Sequence, residues 1–185
     1  MDEARIERIT HGDAPVTEGW FVLNANDAQW IHHPDFGWSC PFEASGAVTR
    51  ARDDIDPVTF KQLGVNLLAL THGSGGLYHR EDQQEDFLVL RGECLLLVEG
   101  EERPLKQWDL FHSPPGTEHV LVGTSDEPCL VLRVGVRLGY PGLLYPRAEV
   151  AVKHGAAADE ETSSGAEAYA RRGHWQPGEK PPGLP

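Results

Sequence analysis

Between Gln62 and Val136 the chain is cut into short apolar runs, QLGVNLLAL, LYHRE, EDFLVLRG, ECLLLVEGEERPL, QWDLFHSPPGTEH, VLVGTSDEP and CLVLRVGV, each closed by Gly, Pro or an acidic cluster. Runs of roughly four to eight residues rich in Val, Leu and Phe, stopped about every 8 to 12 residues, are the pattern of an all-β sandwich or barrel. No window here carries a helical period of about 3.6 residues, so the strand-helix alternation of a nucleotide-binding α/β sheet is absent. The GSGG at Gly73–Gly76 leads into a strand and not a helix, which argues against a phosphate loop. A length of 185 residues allows one such domain with extensions, and 20 Gly and 14 Pro supply its turns.

Charge narrows the partners. Sixteen Lys and Arg against 29 Asp and Glu give a formal charge of −13, which repels phosphate backbones and anionic lipid, so neither nucleic acid nor a membrane surface is expected to bind. No apolar run approaches the roughly 18 residues of a membrane span. The start, MDEARIERIT, lacks the basic and apolar segments of a secretory signal, so a cytoplasmic protein is expected. Cys40, Cys94 and Cys129 are an odd count without CxxC spacing and read as buried thiols.

Three parts follow from these patterns. Residues 1–60 form an N-terminal arm holding Trp20, Trp30 and Trp38, three of the five tryptophans, and are expected to pack on the barrel and help build a homodimer. Residues 61–150 are the barrel. Residues 151–185 begin with a small, acidic linker, AAADEETSSG. They continue with a short helix, AEAYARR, capped by Ser164 with Glu167 and ended by Gly173, and finish in a Pro-rich tail, QPGEKPPGLP, expected to be extended or disordered.

The chemistry concentrates in GSGGLYHREDQQEDFLVLRG. On extended backbone His79 and Glu81 point to the same side. Six residues at about 3.3 Å each would carry Glu85 some 20 Å from His79, but a turn at Asp82, Gln83 and Gln84 brings it back. A fourth group comes from SPPGTEH, where Pro114, Pro115 and Gly116 turn the chain and His119 opens the next apolar run.

These residues resemble the cupin superfamily. Its first motif reads Gly, five residues, His-x-His, three or four residues, Glu, six residues, Gly, and Gly73, His79, Glu85 and Gly92 stand at those offsets, with Glu81 in place of the second His. Its second motif reads Gly, five residues, Pro-x-Gly, two residues, His, three residues, Asn. Pro114, Gly116 and His119 are kept, Trp108 replaces the Gly, which reads as a lost turn residue, and Gly123 replaces the Asn. The likeness spans about residues 62–137.

The resemblance implies an all-β double-stranded β-helix, or jelly-roll barrel, flanked by the N-terminal arm and a short helical or extended tail. It also implies one divalent metal at the barrel mouth, Fe, Mn or Zn first and Ni admitted, held by His79, Glu85 and His119. Three roles are open for Glu81. As a fourth ligand it makes a His₂Glu₂ site that neutralises the ion; beside a two-His, one-carboxylate triad it is a general base; or it is spent in a salt bridge to Arg80, Arg91 or Arg133 and the metal site is degenerate.

Other residues are weighed by facing. Phe87 and Val89 share parity with Glu85 and are expected to wall the substrate pocket. His72 and His112 are weaker pocket candidates at a turn edge and on the strand before Pro114. His32 and His33 read as packed or surface residues, and Cys40 has no nominated base. Tyr169, Arg171 and Trp175 suit either a lid or, with more weight, a helix docked on the exterior. The expected activity is metal-dependent chemistry of dioxygenase or isomerase/lyase type on a small oxygenated metabolite. The alternative is a non-catalytic binding or sensor protein whose metal is structural.

Overall fold

The computed structural model describes residues 2–139 and 142–184. In chain order its strands are β1 (Ile6–Arg8), β2 (Asp13–Pro15), β3 (Trp30–His33), β4 (Gly37–Cys40), β5 (Leu63–Leu70), β6 (Glu85–Arg91), β7 (Glu93–Val98), β8 (Glu101–Lys106), β9 (Leu110–Ser113), β10 (His119–Gly123), β11 (Cys129–Val136) and β12 (Gln176–Gly178). Two short helices, α1 (Glu149–Lys153) and α2 (Gly165–Ala168), follow the barrel strands in the chain. A seven-stranded sheet runs β12-β3-β4-β5-β11-β6-β9 and a three-stranded sheet runs β10-β7-β8, with every pairing antiparallel. This is the expected all-β jelly roll. None of the described helices is long and apolar enough to cross a membrane.

The main core lies between the two sheets. Leu70, Phe87, Val89, Cys129 and Val131 from the large sheet meet Cys94, Leu96 and Leu121 from the small one, and each fully buried aliphatic or aromatic side chain there contributes about 1.5–3 kcal/mol. Register orders the interior into layers. On β11, Val131 stands opposite Leu68 and Val89, Arg133 opposite Asn66 and Phe87, and Gly135 opposite Gly64 and Glu85. Because side chains alternate with a period of two, these rows share the inward face. The interior thus passes from an apolar floor, through a layer with one amide and one guanidinium, to a mouth where two glycines leave room.

The arm does more than cover the barrel. Its β3 and β4 are members of the large sheet, with β4 paired to β5. Trp30 is 1% exposed and donates its Nε1–H to the Ala25 carbonyl at 2.9 Å. Trp38 is half-buried and packs on His32, whereas Trp20, expected to pack, is 52% exposed. The small, acidic segment is not a free linker. Ala151 in α1, Ala156 and Ala158 are buried, the first two against Tyr78 and against Leu97, Val120 and Val122 of the small sheet. Alanine's small side chain lets that segment lie flat on the strands.

The C-terminal helix is shorter than expected. Ser164 caps α2 by accepting from the Glu167 N–H at 3.3 Å, as the capping pattern requires, but the α-helix stops after Ala168. The Pro-rich tail is extended and partly sheet: β12 pairs with β3, with Pro177 opposite Ile31. All three cysteines are free and buried. Burial pushes the Cys40 thiol up to about 12, which keeps it protonated and inert.

Candidate metal centre and its cavity

The two histidines are placed by one backbone pairing. The segment after Gly76 runs alongside β10, and His79 and His119 stand opposite each other. The His79 N–H donates to the His119 carbonyl at 3.1 Å, and the His119 N–H to the His79 carbonyl at 2.8 Å. The turn at Pro114, closed by Thr117 N–H and Oγ1 donating to the Pro114 carbonyl, delivers His119 into β10. Bends at Asp82 and Gln83 then reverse the chain so that Glu85 opens β6 between Ser113 of β9 and Gly135 of β11. A Cβ at Gly135 would lie 3.1 Å from Glu85 Oε1, so the missing side chain gives the carboxylate its seat.

Backbone carbonyls fix the imidazole tautomers. His79 Nδ1 donates to the Leu77 carbonyl at 2.8 Å and His119 Nδ1 to the Thr117 carbonyl at 3.0 Å, with Ser113 Oγ 3.3 Å from the same nitrogen. With the proton held at Nδ1, each Nε2 presents a lone pair. Both face Glu85 Oε2, at 3.7 Å from His79 and 3.3 Å from His119. Burial by itself would raise the Glu85 carboxyl. Where His119 and His79 carry a second proton and donate to it, those contacts and the charge of Arg133 outweigh burial and hold it well below the usual carboxylate range.

Glu85 Oε2 and His119 Nε2 are buried atoms without a hydrogen-bond partner among the described residues. An orphaned buried polar atom costs about 1–3 kcal/mol, and acceptors that converge without a donor ask for a cation. The ligand atoms of His79, Glu85 and His119 lie within 4.8 Å of one another. Two imidazole nitrogens and one carboxylate fit a divalent ion such as Fe²⁺, Mn²⁺ or Zn²⁺ and leave coordination positions open.

Glu81 does not belong to that group. Its carbonyl accepts from the Gly116 N–H at 2.7 Å, and its half-buried carboxyl lines the outer side of the same opening. Burial and then the Glu85 charge push it above the ordinary range. Among the described residues no ion pair joins Glu81 to Arg80, Arg91 or Arg133.

A cavity of about 310 Å³ opens over the triad. His79, Glu85 and His119 form one wall with Phe87, while Asn66, Arg133, Tyr169 and Trp175 complete it. A second hollow of about 400 Å³ shares Asn66, His79, Glu85, Arg133 and Tyr169 and adds Glu81 and Tyr145. Of the expected pocket residues, Phe87 lines the cavity and the other three do not. Val89 is fully buried in the floor beneath it. His112 points outward and pairs with Asp86 at 2.6 Å, because its parity on β9 is opposite to that of Ser113. His72 is exposed, 3.3 Å from the Thr124 carbonyl, in a separate hollow with Asp35 and Arg172.

Four cavity residues escaped the sequence reading or were given another place. Asn66 and Arg133 are the polar members of the inward set on β5 and β11, and a polar residue at core parity was their signal. Tyr169 and Trp175 come from the C-terminal segment, which lines the cavity instead of docking only outside it. Tyr169 is held by the Leu77 N–H, which donates to its hydroxyl at 3.2 Å, and His33 ties the same segment down by bonding the Arg172 carbonyl. Arg171 is exposed and pairs with Asp159.

Both departures from the second motif have structural reasons. The turn at Trp108 is kept: Trp108 itself adopts φ +75°, the left-handed conformation that glycine takes at no cost, with its side chain 68% exposed. At Gly123 any Cβ would lie 2.0 Å from the Thr71 carbonyl oxygen, so an Asn has no room.

The family profile described as "Cupin domain" matches residues 66–135. Among solved structures, a sugar phosphate isomerase from a cupin superfamily of Silicibacter pomeroyi is 29% identical, with a TM-score of 0.43, over 54% of this chain and 59% of its own. The chain therefore covers less than two thirds of that protein. The polyketide cyclase RemF of Streptomyces resistomycificus is 13% identical with a TM-score of 0.50 over 64% of this chain and 80% of its own, a likeness of fold. The DMSP lyase DddQ of Ruegeria pomeroyi is 22% identical with a TM-score of 0.41, over 50% and 47% of the two chains. No curated protein sequence matches.

Proposed function

The chain carries a cupin domain at residues 66–135, and on that premise we propose that it is a metal-dependent enzyme of isomerase or lyase type acting on a small oxygenated metabolite. The observation that carries the reading is the set of acceptor atoms, Nε2 of His79 and His119 and Oε2 of Glu85, converging without a donor on the wall of a cavity. These three residues would hold one divalent ion, which supplies Lewis-acid polarisation of a substrate oxygen when bound. The carbonyls of Leu77 and Thr117 hold both rings in the ligating tautomer. Phe87 and Trp175 supply apolar wall, which orients a small molecule and displaces water from the reacting end.

Glu81 supports proton transfer over oxygen insertion. Its carboxyl lines the outer hollow with no ion-pair partner among the described residues, and in this reading it would take a proton from a substrate carbon and return it elsewhere. The test is solvent-deuterium exchange. Zn²⁺- or Mn²⁺-loaded protein is incubated in D₂O with a panel of small hydroxy and keto compounds, and carbon-bound deuterium is read by NMR. The wild type is expected to label at least one of them, and Glu81→Gln to slow labelling about 10²- to 10⁴-fold. Oxygen uptake without labelling would move the reading to a dioxygenase, and binding with neither would return it to a non-catalytic ligand carrier.

A further inference from the structure

Among the described residues, three donors at the cavity have no acceptor. Asn66 is 4% exposed and lines both hollows, yet no hydrogen bond within the described residues uses its amide. Arg133 is opposite it in the β5–β11 register. Among the described residues its one ion-pair contact is Nε to Glu85 Oε1 at 3.9 Å, beyond hydrogen-bond length, which leaves its guanidinium donors uncommitted there. The Tyr169 hydroxyl accepts from the Leu77 N–H and keeps its own proton free. Buried polar groups are ordinarily paired, and an unpaired amide this deeply enclosed beside an unpaired guanidinium marks the place of a ligand's acceptor atoms.

The neighbouring arginine shows the contrast. Arg137 also lines the cavity, but its Nη1 donates to both oxygens of the buried Glu43 at 2.9 Å, so that charge is neutralised within the fold. One free guanidinium flanked by two neutral donors balances a single negative charge. That suits a planar carboxylate, which the guanidinium fork matches, better than a doubly charged phosphate. Glu85 divides its two oxygens between the sites, Oε2 toward the histidines and Oε1 toward Arg133.

We infer that Arg133, Asn66 and the Tyr169 hydroxyl form a carboxylate subsite beside the His79, Glu85 and His119 group, and that the ligand is a small hydroxy or keto acid. The inference rests on the proposed function for the role of the second oxygen, but the subsite binds its anion with or without the ion. The carboxylate is held by Arg133 and Asn66, and its neighbouring hydroxyl or carbonyl lies toward the triad.

The experiment titrates glycolate and, separately, inorganic phosphate into chelator-treated and Zn²⁺-loaded protein, followed by protein NMR, with Zn²⁺ affinity measured alongside. Arg133→Gln is expected to weaken glycolate binding about 10- to 100-fold in both forms, with Zn²⁺ affinity unchanged or tighter because a cation near Glu85 has gone. Asn66→Leu keeps the branched four-atom shape, loses the amide and is expected to weaken glycolate several-fold, which tests the subsite even if Arg133→Gln fails to fold. Arg171→Gln, on the surface, is expected to change nothing. Glycolate binding that ignores both Arg133→Gln and Asn66→Leu overturns the subsite while leaving the metal centre standing. Arg133-dependent glycolate binding in a protein that takes up no Zn²⁺ supports the subsite and removes the metal reading. Phosphate bound more tightly than glycolate through Arg133 overturns the carboxylate assignment.

Discussion

His119 Nε2 lies 3.3 Å from Glu85 Oε2, and with the proton of the neutral ring on Nδ1 neither atom has a hydrogen to offer the other. The His119 proton is committed to the Thr117 carbonyl on the far side of the ring. The pairing is therefore a contact between two acceptors, tolerated in the metal-free fold and relieved by a cation.

A first prediction follows from that cost. Glu85→Gln places an amide donor where the carboxylate oxygen stood, within reach of the lone pairs of His119 and His79. Metal-free Glu85→Gln is expected to be more stable than wild type by about 1 kcal/mol. Wild type gains about 2.7 kcal/mol at a metal concentration 100 times Kd, whereas the variant gains none. Thermal unfolding with and without Mn²⁺ reads both effects; a variant that is less stable and still metal-stabilised would contradict the reading.

Trp108 pays for its left-handed backbone. An L-residue in that region costs about 1–2 kcal/mol, part of which a glycine gives back through the freedom of the unfolded chain. With its side chain largely exposed, Trp108→Gly is expected to leave the fold intact and raise stability by up to about 1 kcal/mol, measured by urea denaturation. A loss above that size would show that the indole makes a contact of weight.

The tryptophans of the arm are expected to separate sharply. Trp30→Ala empties a fully enclosed site in the packing around β3, β4 and β5 and is expected to cost about 3–5 kcal/mol. Trp20→Ala, at 52% exposure, is expected to stay within about 0.5 kcal/mol. Equal effects in chemical denaturation would mean the arm is not part of the sheet.

The sequence was legible where one element carries its own pattern. The run from Gln62 to Val136 shows its strands through length and closure. His79, Glu85 and His119 are legible because a bend and two turns of defined chemistry leave few ways to arrange them. Parity also contained Asn66 and Arg133, since each is a polar residue in an inward apolar series. It failed for His112, whose facing depends on the register that β9 takes against β6. The C-terminal share of the cavity was not legible: α2 and β12 have four and three residues, too few for any period, and Tyr169 reaches the site through a contact with Leu77 across 92 residues of chain.

Chain closure by that segment is testable. Tyr169→Phe keeps the ring against Phe36 and Tyr145 but removes the oxygen that accepts from Leu77 N–H, leaving a backbone donor unpaired. The expected cost is about 1–3 kcal/mol, with faster hydrogen exchange at the Leu77 amide. Exchange unchanged at that amide would contradict the assigned bond.

The account stands on one divalent ion held by His79, Glu85 and His119, and metal stoichiometry tests it most directly. Protein stripped with chelator, dialysed and titrated with Mn²⁺, Fe²⁺ or Zn²⁺ is expected to take up one ion per chain, and His119→Ala, shown to be folded by circular dichroism, is expected to take up none at the same concentration. A wild type that binds no ion, or a folded His119→Ala that binds as tightly as wild type, would contradict it.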